Sequence, residues 1–247
     1  MFAAIRLFIN CRESLVEPEK IVTLFFEIAL LKNITNRHVY THCVNIQETK
    51  LNPLLVFDMN EKKNLVNSFV DKYNSLTKDE TLFLSLYTEN MEKIRLKIIV
   101  YKNIGIIEFI FDYPCECQYK ECETLRYIID IIEHNNLSID NGFMTFYKLW
   151  RRVNYYDGEQ GGLIPNIINS QKTSCYIKHS MINHIGKLQG IHEVNVINMN
   201  YLTYRCYEVL KKAKTVSVSS YDTVCFSFGF KKSNNNKISH MLYDISV

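Results

Sequence analysis

The chain has 247 residues, of which 47% are hydrophobic, 13% aromatic and 22% charged. This composition excludes a disordered chain, because the apolar side chains are numerous enough to bury a core, and the 8 glycines and 4 prolines exclude a collagen-like or linker-like sequence. A formal net charge of +3 is too small to indicate nucleic acid or an anionic membrane as the partner. The length predicts one large domain or two small ones.

The sequence carries no signal for export or membrane insertion. Its apolar runs are shorter than the ~18–20 residues that a membrane-spanning helix requires. The apolar start, residues 1–10, contains Arg6 and lacks the basic segment that opens a secretory signal. Eight cysteines in 247 residues are sparser than in disulfide-stapled secreted domains. We therefore expect a cytoplasmic protein with reduced thiols.

The first third of the chain alternates between strand and helix patterns. Residues Phe2 to Ile9 alternate as in a strand with one buried face. Pro18 suits a first helical turn, and apolar residues then recur at helical spacing as far as Leu31. A strand-like piece near Arg37–Val44 follows. Next comes an extended segment, Asn52–Asp58, closed by a helix cap at Asp58 or Asn60. The second predicted helix has the apolar stripe Leu65, Val66, Phe69, Val70 and Tyr73.

Three strands and a third helix are predicted next. Thr81–Tyr87 is followed by Ile94–Tyr101 and Ile104–Phe111, and the gap Lys102-Asn103 between the last two predicts a hairpin with a two-residue turn. Leu125, Ile128, Ile129 and Ile132 then mark the buried side of a helix. This order of elements predicts an α+β fold, mainly antiparallel, with amphipathic helices packed on one face of the sheet.

The second half of the chain has weaker signals. Gly158, Gly161, Gly162 and Pro165 indicate a surface loop. Further predicted elements are the strands Ser174–Lys178, Val194–Ile197, Val224–Phe230 and Ile238–Ile245 and a helix from about Asn200 to Lys212. A boundary near Pro114–Cys122 would give two α+β halves, 1–114 and 115–247, with a single domain as the alternative.

The cysteine and histidine patterns do not indicate a metal site. Cys115-Glu-Cys117 with Cys122 downstream lacks the second pair of ligands that a zinc site needs. His38 and His42 fall on a predicted strand, where residues four apart lie about 13 Å from each other. We therefore expect no metal and no cofactor, with the three cysteines forming a loop of reduced thiols.

Motifs for catalysis are equally weak. The sequence contains no G-x-S-x-G elbow, no G-x-G-x-x-G and no phosphate-binding loop, since Gly158–Gly162 is not followed by Lys-Ser/Thr. The carboxylates Glu108 and Asp112 lie on the predicted hairpin, where solvated charge is the ordinary state. We therefore expect a protein that is not an enzyme.

One short segment has the composition of a protein interface. Trp, Tyr and Arg are the typical anchors of such interfaces, and all three occur beside the Gly-rich loop; core burial of Trp150 is the competing interpretation. The predicted partner-binding residues are Trp150, Arg152, Tyr155, Tyr156, Asp157 and Glu159.

Several segments resemble, in order, those of the bacterial polymorphic-toxin immunity proteins, specifically the immunity protein 52 family. Leu51–Asp58 is similar to the family's extended Pro-containing segment, which ends in Phe-Asp before the second helix. Trp150, the segment Gly161–Pro165 and the stretch Asn198–Leu210 follow in the same order as in the family.

This resemblance implies a cytoplasmic protein that binds and neutralises a cognate toxin of nuclease type, delivered between bacteria by a polymorphic-toxin or type VI secretion system. It implies no catalysis and a partner that is itself a protein. The balanced charge and the short apolar runs predict no direct contact with nucleic acid or membrane. Two other classes stay open from the residues alone: a viral or mobile-element interaction module of similar build, and a small hydrolase with a cysteine or histidine site.

Overall fold

A computed structural model describes residues 1–11, 16–31, 38–45, 55–77, 80–87, 94–147, 193–201, 210–219 and 223–227. The chain divides into two compact units, Met1–Ile139 and Asp140–Val247. Within the described ranges the first unit contains β1 (Phe2–Asn10), α1 (Pro18–Leu31), β2 (His38–Asn45), β3 (Leu55–Asp58), α2 (Lys62–Ser75), β4 (Glu80–Tyr87), β5 (Arg95–Tyr101), β6 (Ile106–Pro114) and α3 (Gln118–His134). The remaining elements are β7 (Ser138–Tyr147), β8 (Val194–Asn198), β9 (Thr215–Val218) and β10 (Thr223–Ser227).

The strands of the first unit lie in the order β3-β2-β4-β5-β6-β1, and each neighbouring pair is antiparallel. Because successive side chains point to opposite faces, this register separates the side chains into two sets. One face is almost wholly apolar and buried, formed by Ile5, Leu7, Ile9, Leu82, Leu84, Leu86, Leu96, Ile98, Val100, Ile107, Phe109 and Phe111. The predicted α+β class with an antiparallel sheet is confirmed.

The three helices cover this apolar face. Helix α1 contacts both α2 and α3, so all three lie on the same side of the sheet. Helix α1 begins at Pro18, as predicted, and buries seven side chains at helical spacing: Ile21, Val22, Leu24, Phe25, Phe26, Ile28 and Ala29. Helix α2 buries Leu65 and Phe69 of its predicted stripe.

A capped turn leads into α2. The Asp58 carboxylate accepts a hydrogen bond from the Asn60 backbone N–H at 2.8 Å, and the Glu61 carboxylate accepts one from the Asp58 backbone N–H at 3.1 Å. These two bonds form a capping box around a short 3-10 turn, residues 59–61. Of the two predicted caps, Asp58 caps this 3-10 turn, whereas Glu61, at the N-cap position of α2 itself, makes no side-chain capping bond there.

The predicted hairpin between β5 and β6 exists, but the prediction of a two-residue turn was wrong. Tyr101 pairs with Ile106, so the connection has four residues, Lys102 to Gly105. Lys102–Ile104 form a 3-10 turn that ends at Gly105, whose φ of 66° lies in the left-handed region that glycine adopts without strain. The Gly105 carbonyl accepts a hydrogen bond from the Cys11 N–H at 2.7 Å.

The second unit contains an antiparallel arrangement of four strands in the order β7-β8-β10-β9. The predicted strand Val194–Ile197 is confirmed as β8, and Val224–Phe230 corresponds to β10 over its described part. Strand β9 was not predicted, although Thr215, Val216 and Val218 are β-branched residues that favour a strand. The predicted strands Ser174–Lys178 and Ile238–Ile245 and most of the helix predicted at 200–212 lie outside the described residues.

The division between the units falls after Ile139. Helix α3 belongs to the first unit because it packs against α1 and β1. The predicted domain halves, 1–114 and 115–247, stay a prediction, as does the alternative of one domain.

Candidate functional site

The predicted interface lies outside the described residues. This holds for the whole set: Trp150, Arg152, Tyr155, Tyr156, Asp157 and Glu159. The site described here is therefore built from the charged and exposed side chains of the first unit.

Three charged residues come together on the sheet face opposite the helices. Asp112 on β6 pairs directly with Ala4 on β1 and with Arg95 on β5. Arg6 lies two residues beyond Ala4, so it is diagonal to Asp112, within reach of a long side chain. We call Arg6, Arg95 and Asp112 the charged cluster.

Both guanidinium groups of the charged cluster bind the same carboxylate. The Arg6 guanidinium donates to Asp112 Oδ1 at 2.5 Å and to Oδ2 at 3.2 Å, and also to the Ile5 carbonyl at 2.7 Å. Arg95 Nε donates to Oδ2 at 2.7 Å, and its Nη2 forms an ion pair with the same oxygen. The side chains are buried, with Arg6 only 1% exposed. The charged cluster therefore links β1, β5 and β6 by charge-assisted hydrogen bonds.

The expectation that the hairpin carboxylates are solvated was wrong. Asp112 and Glu108 are 5% and 2% exposed. The reason is cross-strand pairing, which places Arg95 opposite Asp112 and brings the Tyr101 hydroxyl within 3.2 Å of Glu108, to which it donates. A carboxylate whose two oxygens accept bonds from arginines does not serve as a general base, so the arrangement at Asp112 is suited to holding strands together.

A second buried polar pair connects the sheet to α3. The Tyr113 hydroxyl donates to Glu121 at 2.6 Å, and both residues are buried. Burial, and then the hydrogen bond to Glu121, hold the pKa of Tyr113 far above its ordinary value. The phenol is therefore neutral and a permanent donor, which satisfies the Glu121 carboxylate in the first turn of α3.

The cysteines singled out in the sequence lie at the start of α3. Cys115 is buried, Cys117 occupies the N-cap position, and none of Cys115, Cys117 and Cys122 is in a disulfide within the described part of the chain. Across the described ranges, no group of three His, Cys, Asp or Glu side chains is arranged to hold a metal ion. The side chains of His38 and His42 are outside the described set.

Burial raises the pKa of three thiols. It raises the pKa of Cys11 from 9.0 to about 12 and also raises the pKa values of Cys43 and Cys122. Lys72 partly opposes the shift at Cys43, and burial lowers the pKa of that lysine, whose ammonium donates to the Thr41 carbonyl at 3.1 Å. These three thiols are protonated at neutral pH, so none of them is an activated nucleophile.

The outer side of α1 and α3 carries exposed apolar side chains among charges. Tyr127 is 62% exposed, Leu30 59% and Leu31 39%. Asn135 Nδ2 donates to Glu27 Oε2 at 3.2 Å, which ties the end of α3 to α1. We define the α1–α3 surface as Glu27, Leu30, Leu31, Glu123, Tyr127 and Asp130. Sequence reasoning missed this surface; the signal was Tyr127, an aromatic residue on the polar side of the α3 pattern.

Comparison with known proteins gives a fold likeness. No protein-family model matches the chain, and no curated protein matches it in sequence. The solved structure of the Pseudomonas aeruginosa T6SS protein PA0821 is similar to this chain with a TM-score of 0.50 and 11% sequence identity, over 99% of this chain and 73% of that one. At this identity the similarity shows a common fold.

A second similar structure is the toxic C-terminal tip of CdiA from Pseudomonas aeruginosa in complex with its immune protein. The TM-score is 0.32 and the identity 10%, over 60% of this chain and 88% of that one, values at which the similarity supports no conclusion. Membership in the immunity protein 52 family stays a prediction. Among the described helices, none is long and apolar enough to cross a membrane.

Proposed function

We propose that this chain is a non-catalytic immunity protein that binds and neutralises a cognate toxin exchanged between bacteria. The observation that carries the proposal is the fold shared with a T6SS protein over 99% of the chain. The order of segments that resembles the immunity protein 52 family supports the same function. The finer proposal is that the toxin is a nuclease and that binding takes place in the cytoplasm.

Neutralisation by an immunity protein requires a surface, not an active site. A stable complex of this kind buries about 1,600 Å² of total surface and depends on a few aromatic and arginine anchors. We propose that Trp150, Arg152, Tyr155 and Tyr156 supply such anchors. Asp157 and Glu159 would face lysine or arginine side chains in the toxin's cleft and block it sterically.

The experiment is a pull-down of the tagged chain from its native host, with mass spectrometry of the retained proteins. The expected result is one stoichiometric large protein with a C-terminal toxin domain. That domain is then purified in an inactivated form and its dissociation constant for the chain is measured.

Matched variants locate the contact. Tyr155→Ala and Tyr156→Ala are expected to weaken binding, whereas Asn67→Ala on the exposed side of α2 should leave it unchanged. The proposed function would be contradicted if the wild-type chain retained no specific protein. Hydrolase activity of the purified chain would instead identify it as an enzyme.

A further inference from the structure

We infer that the α1–α3 surface is a second docking site for the toxin and that it receives a basic, nucleic-acid-binding part of the toxin surface. This inference rests on the proposed function. It concerns a surface of the first unit that is separate in sequence from the contact residues 150–159.

The centre of the α1–α3 surface is apolar and exposed. Five large apolar side chains are exposed in the described part of the chain, and three of them, Leu30, Leu31 and Tyr127, belong to α1 and α3. Exposed tyrosine is a common anchor of protein interfaces, because it buries a large area with few rotatable bonds. The three residues therefore provide the apolar centre that a docking site requires.

A hydrogen bond joins the two helices near these residues. Helix α1 contacts α3, and Asn135 Nδ2, just after α3, donates to Glu27 Oε2 on α1. Leu30 and Leu31 lie about one turn beyond Glu27 on α1, and Tyr127 lies about two turns before Asn135 on α3. The three apolar side chains therefore lie within about two helical turns of this bond, measured along the two helices.

The described charges within about one helical turn of the apolar residues are mainly acidic. They are Glu27, Glu123 and Asp130 against Arg126, a net charge of −2. The full chain has a formal net charge of +3. The charge next to these apolar side chains is therefore opposite in sign to that of the whole chain.

Helix α2 lacks this acidic excess. With its capping turn, α2 carries three exposed or half-buried acidic groups, Asp58, Glu61 and Asp71, against the three lysines Lys62, Lys63 and Lys72. The neighbouring helix is therefore neutral.

The acidic groups and the exposed apolar side chains together favour a basic protein partner. A toxin that acts on nucleic acid carries lysine and arginine side chains to bind phosphates. An acidic rim attracts such a surface and accelerates association, while the apolar centre provides the affinity. The acidic α1–α3 surface also explains how a chain with a basic net charge can bind a basic partner.

The test measures binding kinetics with one defined probe. The probe is the C-terminal toxin domain of the protein that the pull-down retains, with its catalytic residue replaced. Tyr127→Ala is expected to weaken the dissociation constant by about 30-fold, the size of an interface hot spot. Replacing Glu27, Glu123 and Asp130 together by Gln, Gln and Asn should lower the association rate about tenfold at low salt and flatten its salt dependence.

Two variants serve as controls, Asn67→Ala and Asp71→Asn on the exposed side of α2, which should bind as the wild type does. Circular dichroism and urea unfolding establish that every variant is folded.

Two results would overturn the inference, and they are distinguishable. If the α1–α3 variants bind like the wild type while Tyr155→Ala weakens binding, the α1–α3 surface is not a docking site and the proposed function stands. If the wild-type chain does not bind the probe, the proposed function fails, and the inference fails with it.

Discussion

The charged cluster and the α1–α3 surface use charge in opposite ways within the same unit. In the charged cluster, Asp112 is buried and binds two arginines on neighbouring strands. On the α1–α3 surface, the side chains of Glu27, Glu123 and Tyr127 are exposed. The first arrangement satisfies its charges internally, whereas the second presents its charges to solvent.

Buried charges of this kind affect the free energy of unfolding, whereas exposed charges affect binding to a partner. Removing one partner of a buried ion pair leaves an uncompensated charge in a region of low dielectric constant, which is costly. Removing an exposed charge changes the free energy of unfolding little, but it alters the attraction of a charged partner. We therefore expect substitutions in the two regions to affect different measurements.

The largest expected effect follows from Asp112→Ala. This change leaves Arg6 and Arg95 buried without their shared carboxylate, and we expect a loss of about 3–5 kcal/mol in the free energy of unfolding. Urea unfolding followed by circular dichroism measures it. The matched control is Glu123→Ala, which is exposed and should change the same quantity by less than about 0.5 kcal/mol. Equal effects of the two changes would contradict the distinction between the regions.

A smaller loss is expected for Tyr113→Phe. The change removes the donor to the buried Glu121 carboxylate and keeps the ring, so the loss should be about 1–3 kcal/mol. Tyr127→Phe removes the same hydroxyl from an exposed ring and should be nearly neutral for stability. The account would be wrong about Tyr113 if both phenylalanine variants unfolded at the wild-type urea concentration.

Removal of the helix cap should have a smaller effect again. Asp58→Ala breaks the capping box of the 3-10 turn that leads into α2, at a cost of about 1 kcal/mol. Asn64→Ala, exposed in the first turn of α2, serves as the control and should show no loss. Thermal unfolding that shifts equally in both variants would argue against a role for the cap.

The last prediction concerns Cys11, whose ionisation affects the free energy of unfolding only at alkaline pH. Its pKa is raised to about 12 in the folded chain from an ordinary 9.0. Above pH 9 the unfolded chain releases this proton before the folded chain does. The contribution of Cys11 to the free energy of unfolding is therefore fully present below pH 9 and is lost as the pH rises towards 12. Cys11→Ala should therefore make the decline of stability between pH 8 and pH 10.5 less steep. An unchanged slope would show that Cys11 ionises equally in both states.

Patterns of residues that are close in the sequence were sufficient to predict most helices and strands of the first unit. Helix α1 was predicted from Pro18 to Leu31 because proline fits the first turn and the apolar residues repeat at helical spacing. The capping residue Asp58 and the pairing of β5 with β6 were predicted in the same way. Such features depend on residues that are close in the sequence, so a single sequence contains them.

The charged cluster could not be predicted because it depends on register between distant strands. Arg6 and Asp112 are 106 residues apart, and their contact follows from the pairing of β1 with β6. An arginine in an otherwise apolar strand was the visible sign in the sequence. The α1–α3 surface was missed for a related reason: which helices are neighbours is a property of the sheet order, not of any one helix.

The measurement that tests the central proposal most directly is protection from the toxin in living cells. The toxin domain of the protein that the pull-down retains is expressed in a susceptible bacterium, with the wild-type chain or with an empty vector. We predict normal growth with the chain and arrest without it, with the Tyr127→Ala variant protecting less well at equal expression. Arrest in the presence of well-expressed, folded wild-type chain would contradict the account.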